Sequence, residues 1–241
     1  MKIQSKLSRF AKTTFLVAAL AAGFVAPVKA ATELNLAILA GIADEDYDGA
    51  QVFKNYVETA SNGSVTVKLF PGAQLCGSAA ECFESMKAGV VDIYNGTAGG
   101  ASVLWKPIQA LDIPYLFSSD RVVQEVLQGP LEQDIRARIM KATQSKTMLM
   151  SIGQTGGWRG ILTKSKPVKS PEDMKGLKIR TMGLESHKSV VSSMGGQPVA
   201  INWAEVYTSL QTGVADGQMN PIPIVKFAKF DEVQKYLTVD E

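Results

Sequence analysis

Between residues 33 and 94 the sequence alternates strand-like and helix-like runs in an order that leaves few folds open. Glu33–Leu39 reads as a strand, and Asp46–Ser61 carries apolar residues at helical spacing: Val52, Phe53, Tyr56, Val57 and Ala60. Asn62-Gly63 stops that helix, and Val65–Phe70 alternates into Pro71 as a second strand. Ser78-Ala79-Ala80-Glu81 has the S-x-x-E form of a capping box, and its helix ends at Gly89 before a third strand, Val90–Tyr94. A β-α-β-α-β order predicts a parallel sheet with right-handed crossovers, hence an α/β fold.

The remainder extends this pattern. Ile108–Phe117 is apolar, broken by Pro114 and too aperiodic for a helix, whereas Asp120–Leu127 and Pro130–Ser145 fit helices. A strand over Thr147–Ile152 leads into Gly153, Gly156, Gly157 and Gly160. After these glycines come a strand at Ile161–Lys164, a short turn of helix opened by Ser170 and closed by Gly176, and a strand at Leu177–Thr181. Then follow a helix over Glu185–Met194, a strand at Pro198–Ile201, a helix capped by Asn202 and running to Thr212, and a strand at Val214–Met219. Lys87-Ala88-Gly89-Val90-Val91-Asp92 is echoed by Gln211-Thr212-Gly213-Val214-Ala215-Asp216, each ending a helix at glycine and opening a strand with Val-x-Asp. The echo and the glycine cluster predict two similar lobes, residues 31–154 and 155–241.

Charge depends on where it is counted. Of 25 basic residues five lie in positions 1–30, which hold no acid, so 20 remain against 23 acidic residues. A basic excess confined to the leader gives no support for nucleic-acid binding. Lys2, Lys6, Arg9 and Lys12 precede an uncharged stretch from Thr13 to Val28, too short to span a bilayer, and Val28-Lys29-Ala30 supplies small residues for cleavage. Residues 1–30 are therefore expected to be a secretory signal peptide, placing the rest in the periplasm. Export makes the two cysteines informative: Cys76 in the loop and Cys82 in the first turn of the capped helix can close a local disulfide, which is favoured over two buried thiols.

Catalytic signatures are sparse. His187 is the single histidine, which leaves no paired-histidine metal site, and neither a G-x-S-x-G elbow nor a Walker loop occurs. No catalytic residue, metal or cofactor is assigned.

Four ordered strings carry a resemblance: Phe70-Pro71-Gly72-Ala73-Gln74-Leu75, Leu111-Asp112-Ile113-Pro114-Tyr115-Leu116-Phe117, Gly176-Leu177-Lys178-Ile179-Arg180, and the run from Glu205 to Gln218. From about residue 33 onward the chain resembles the solute-binding proteins of tripartite ATP-independent periplasmic (TRAP) transporters, the DctP type. The resemblance implies a two-lobed, type II-like binding protein that closes on an organic acid. It also implies delivery to an integral-membrane permease driven by an ion gradient. Ligands of the family include sialic acids, C4-dicarboxylates, 2-oxo acids and sugar acids. Arg180 matches the arginine that pairs with the ligand carboxylate, and Arg159 a second cleft arginine. Trp203 falls at an aromatic position, Asn220 at a pocket amide, and Thr97 at a variable position of the first lobe. Met219 departs from the glutamate many relatives carry. Family members are longer, so the chain is expected to be C-terminally truncated. A ligand-binding module feeding a sensor, or a secreted enzyme on a related fold, are the competing readings.

Overall fold

β1, Thr32–Ile38, buries Leu36, Ala37 and Ile38 at its end and pairs in parallel with strands on both sides. This is seen in a computed structural model that describes residues 31–239; the expected signal peptide lies outside the described residues. β2 (Val65–Phe70) and β3 (Ile93–Asn95) complete a three-stranded sheet in the order β2-β1-β3. The helix Glu45–Ala60 makes the first crossover, capped by Asp44, whose carboxylate accepts from the Asp46 N–H at 2.7 Å. The helix Ala79–Lys87 makes the second, capped by the Ser78 hydroxyl at 3.3 Å from the Glu81 N–H. The Glu81 carboxylate reaches back to the N–H of Gly77, one residue before the cap. A disulfide joins Cys76 to Cys82 across this helix start, with Cα atoms 5.1 Å apart.

The second sheet has five strands in the order β6-β5-β7-β4-β8: β4 Arg159–Thr163, β5 Lys178–Thr181, β6 Gln197–Ala200, β7 Gly217–Pro221 and β8 Tyr236–Thr238. β5 runs parallel to β6 and β7, whereas β4 is antiparallel to β7 and β8. Both faces are covered. Ile161, Met174, Ile179 and Val191 form one core, and Leu162, Val206, Leu210, Val225 and Phe230 form the other. Gly217 is required where β7 meets β4, because a Cβ there would lie 2.5 Å from the Leu162 carbonyl oxygen.

Several expectations need correction. Thr147–Ile152 joins no strand ladder: Arg136 takes the carbonyls of Leu149 and Met150, each at 2.7 Å, in place of a neighbouring strand. Leu149 and Ile152 still pack against Ile108, Ile135 and Ile139, which accounts for the apolar pattern in the sequence. Lys106–Asp112 forms a 3₁₀-helix rather than an irregular run. Asn202 makes no side-chain cap; its carbonyl accepts from the Glu205 N–H at 3.0 Å within the turn Trp203–Glu205, and the helix begins at Val206. The third and last predicted strands begin late, at Ile93 and Gly217, because Val90, Val91 and Val214 belong to the helix-to-strand turn.

Candidate functional site

The C-terminal ends of β1, β3, β5 and β6 converge on one cavity of about 320 Å³ between the two sheets, as strand ends do in open α/β folds. Arg180, on β5, lines it while only 6% exposed. Its Nε donates to the Ile201 carbonyl at 3.0 Å, and its guanidinium carbon stands 5.7 Å from the centre of the Trp203 ring. Among the described residues its two terminal nitrogens have no hydrogen-bond acceptor. Burial, reinforced by the nearby Arg159 charge, lowers its pKa to about 10, so it stays cationic at neutral pH.

Arg159 opens β4 and also lines the cavity. Its Nη1 donates to the Met219 carbonyl at 2.8 Å and to Asn220 Oδ1 at 3.1 Å. Arg159 is exposed to the cleft as a whole; partial desolvation of its guanidinium there lowers its pKa from the usual arginine value, an effect that the Asp112 charge opposes. Asn220, buried on β7, begins an amide chain. Its Nδ2 donates to Gln218 Oε1, Gln218 Nε2 to Gln234 Oε1 at 3.1 Å, and Gln234 Nε2 to the Leu162 carbonyl at 2.9 Å. With both polar atoms bonded inside the protein, Asn220 is suited to hold Arg159 in place. Unpaired amides at this depth would each cost roughly 1–3 kcal/mol.

Trp203 does two things at once. It forms cavity wall under Arg180, and it packs against Phe227 in a tilted arrangement and against Phe230 edge-on, at centroid distances of 6.2 and 5.8 Å. Thr97 lies at the cavity beyond β3, where its Oγ accepts from the Gly100 N–H at 3.1 Å and meets Met182 Sδ, across the cleft, at 3.8 Å. All five residues anticipated for ligand contact therefore face one cavity.

The opposite wall was not anticipated. Asp44, Asp46, Tyr94 and Asn95 line it. Burial pushes the Asp44 carboxyl up to about 6, helped by the neighbouring acids, and also raises that of Asp46. No ion pair links either acid to Arg159 or Arg180, so the cavity has a cationic wall on the side of the second sheet and an acidic wall on the side of the first. Asp44-Glu45-Asp46 reads in sequence only as an acidic helix start, and Tyr94 only as a strand residue. The acids also bind the facing loop: Thr155 Oγ1 donates to Glu45 at 2.7 Å and to Asp46 at 3.3 Å, and the Gly156 N–H donates to Glu45. A second, wider cavity of about 1070 Å³ lies on the other side of the arginines, bordered by the exposed Ile113, Tyr115, Leu116 and Trp158.

The model of the DctP family, bacterial extracellular solute-binding protein family 7, matches residues 39–241. The chain belongs to this family. As a DctP-family protein it is 31% identical over 218 residues to the 2,3-diketo-L-gulonate-binding periplasmic protein of Escherichia coli, covering 90% of this chain and 65% of that one. It is 29% identical over 233 residues to the sialic acid-binding periplasmic protein of Vibrio cholerae, covering 92% and 68%. Among solved structures it matches a TRAP periplasmic solute-binding protein of Polaromonas bound to D-erythronate, with TM-score 0.78 and 29% identity. One from Sulfurospirillum deleyianum with bound succinate gives 0.79 and 27%. Each match covers 86% of this chain and 66% of the other. The chain thus spans just under two thirds of these two structures and of the Escherichia coli relative. The two-lobed α/β architecture read from the sequence is the architecture of the family.

Proposed function

We propose that this DctP-family protein captures a small organic acid in the periplasm, clamps its carboxylate on Arg180 and Arg159, and delivers it to TRAP-type permease subunits in the membrane. One observation carries the reading. Arg180 is buried at the end of β5, fixed through Nε and Trp203, and its two terminal nitrogens lack protein acceptors among the described residues. A guanidinium held this way presents a two-pronged donor to a carboxylate, and each charge-assisted bond contributes roughly 1.5–3 kcal/mol. Asn220 and its amide chain would hold Arg159 ready beside it, while Trp203 and Thr97 would pack against the ligand from opposite lobes.

Capture needs no bond making. Residues up to 154 and from 155 onward would act as two lobes that close by hinge motion, as periplasmic binding proteins do. Thr155 and Gly156, bonded to Glu45, would latch the closed form. The names of the relatives, which bind 2,3-diketo-L-gulonate, sialic acid, erythronate and succinate, support an organic acid as cargo.

A thermal-shift screen of the protein against organic acids, with Arg180→Met in parallel, tests the reading. A ligand that binds only the native state at 100 times its Kd adds about 2.7 kcal/mol of stability. The expected outcome is a rise in midpoint with at least one acid that disappears in Arg180→Met. A rise retained in that variant would remove Arg180 as the anchor, and no rise with any acid would remove the carboxylate reading.

A further inference from the structure

The cavity carries charged groups of opposite sign on its two sides. Arg159 and Arg180 line it from the second sheet; Asp44 and Asp46 line it from the start of the helix that follows β1 of the first. Neither acid is neutralised by an arginine, lysine or histidine among the described residues. The hydrogen bonds these carboxylates accept inside the protein are few: the Asp46 N–H on Asp44, and the Thr155 hydroxyl on Asp46. An ionised carboxylate can accept about four. Acceptor capacity is therefore left over on this side, beside the Tyr94 and Asn95 side chains.

We infer that the cavity selects monocarboxylates bearing hydroxyl groups at the end away from the carboxylate, and discriminates against dicarboxylates of equal length. This rests on the arginine-anchored carboxylate proposed above. With one carboxylate on the arginines, a hydroxylated tail donates to Asp44 and Asp46. A second carboxylate in that position meets two like charges in surroundings of low dielectric and supplies no proton to bond them. An ammonium tail would pair with the acids too, but hydroxyls also match the neutral Tyr94 and Asn95 groups on this side. The burial that raises Asp44 and Asp46 points the same way, because these acids already lack compensating positive charge.

Four-carbon acids that differ only at the far end test this directly: 4-hydroxybutanoate, succinate, 4-aminobutanoate and butanoate, titrated calorimetrically into the protein at pH 7.5. A six-carbon pair, gluconate and glucarate, repeats the contrast in a longer ligand. The hydroxylated monoacid of at least one pair is expected to bind at least tenfold more tightly than its dicarboxylate. In Asp44→Asn and Asp46→Asn that ratio is expected to shrink, because a neutral amide no longer repels the second carboxylate. A dicarboxylate that binds as tightly as its monoacid in every pair that binds would overturn the inference while leaving the carboxylate anchor standing. So would tightest binding of 4-aminobutanoate, or a ratio unchanged in both variants. Absence of binding by every acid would overturn the anchor and the inference together.

Discussion

Asp92 in the first sheet and Asp216 in the second occupy the same joint. Each lies three residues after a glycine in the left-handed region, Gly89 at φ 74° and Gly213 at φ 79°. Each carboxylate accepts the backbone N–H of a neighbouring strand residue, Asn35 at 2.8 Å and Lys178 at 2.9 Å. Each aspartate N–H returns a bond to that residue's carbonyl, at 3.0 and 2.7 Å. The partner side chains also bond into the turn, though one position apart: Asn35 Nδ2 reaches the Val90 carbonyl, and Lys178 Nζ reaches that of Gly213. The Gly-Val-x-Asp echo in the sequence therefore specifies a repeated helix-to-strand connection. Beyond the joint the units diverge. The first has three strands, a disulfide and acids at the start of its first helix; the second has five strands, a buried amide chain and arginines. The common joint fixes how β3 and β7 enter their sheets, while the charge of each wall comes from other elements, Asp44 and Asp46 at a helix start and Arg159 and Arg180 on β4 and β5.

The largest stability effect should come from the acidic wall. Asp44 is held neutral in the native state up to about pH 6, against 3.8 ordinarily. The stability this gives is complete below pH 3.8 and is lost as pH rises through about 6. Asp44→Asn keeps the helix cap but removes this titration. Relative to the parent it should gain up to about 3 kcal/mol between pH 4 and pH 8, read from unfolding midpoints across that range. An unchanged pH dependence would break the contrast between the walls.

The disulfide sharpens the comparison next, since it has no counterpart in the second sheet. Replacing Cys76 and Cys82 together by serine should cost about 2 kcal/mol, as expected for cross-linking so short a loop. Hydrogen exchange should rise in Ala79–Lys87 and β3 while β5 and β7 stay protected.

The joints themselves test the likeness. Asp216→Ala should cost about 1–3 kcal/mol, because it strips a partner from a part-buried N–H on the strand that carries Arg180. Asp92→Ala, at a more exposed position, should cost less. Equal losses would contradict the assignment of the two positions to different depths. The smallest effect is expected at the glycines. Neither Gly89 nor Gly213 has an atom within 4 Å of an added Cβ, so alanine at either position costs only backbone strain, about 1 kcal/mol. Denaturant unfolding of both variants should give nearly matching losses.

Much of this was legible from short-range pattern. Ser78 and Asn62-Gly63 bracket their helices as the sequence predicts, because caps and turn residues act on atoms a few positions away. Val65–Phe70 forms β2 with the predicted bounds. Thr147–Ile152 misled because alternation fixes which side chains are buried but not what the backbone bonds to; Arg136 takes that role from a helix. The anticipated cavity residues came from a family resemblance, which preserves position. Gln218 and Gln234 were invisible, since their significance depends on an amide chain assembled from β4, β7 and the turn before β8. Asp44 and Asp46 were hidden behind their other function, because acids at a helix start are what the helix dipole already favours.

A crystal structure with the tightest-binding organic acid tests the central claim most directly. The account predicts a carboxylate in the cavity between the sheets, bonded to the terminal nitrogens of Arg180 at about 2.7–2.9 Å and reached also by Arg159. An acid bound in the wider cavity beside Tyr115 and Trp158, or in the predicted cavity with its carboxylate turned away from Arg180, would contradict it.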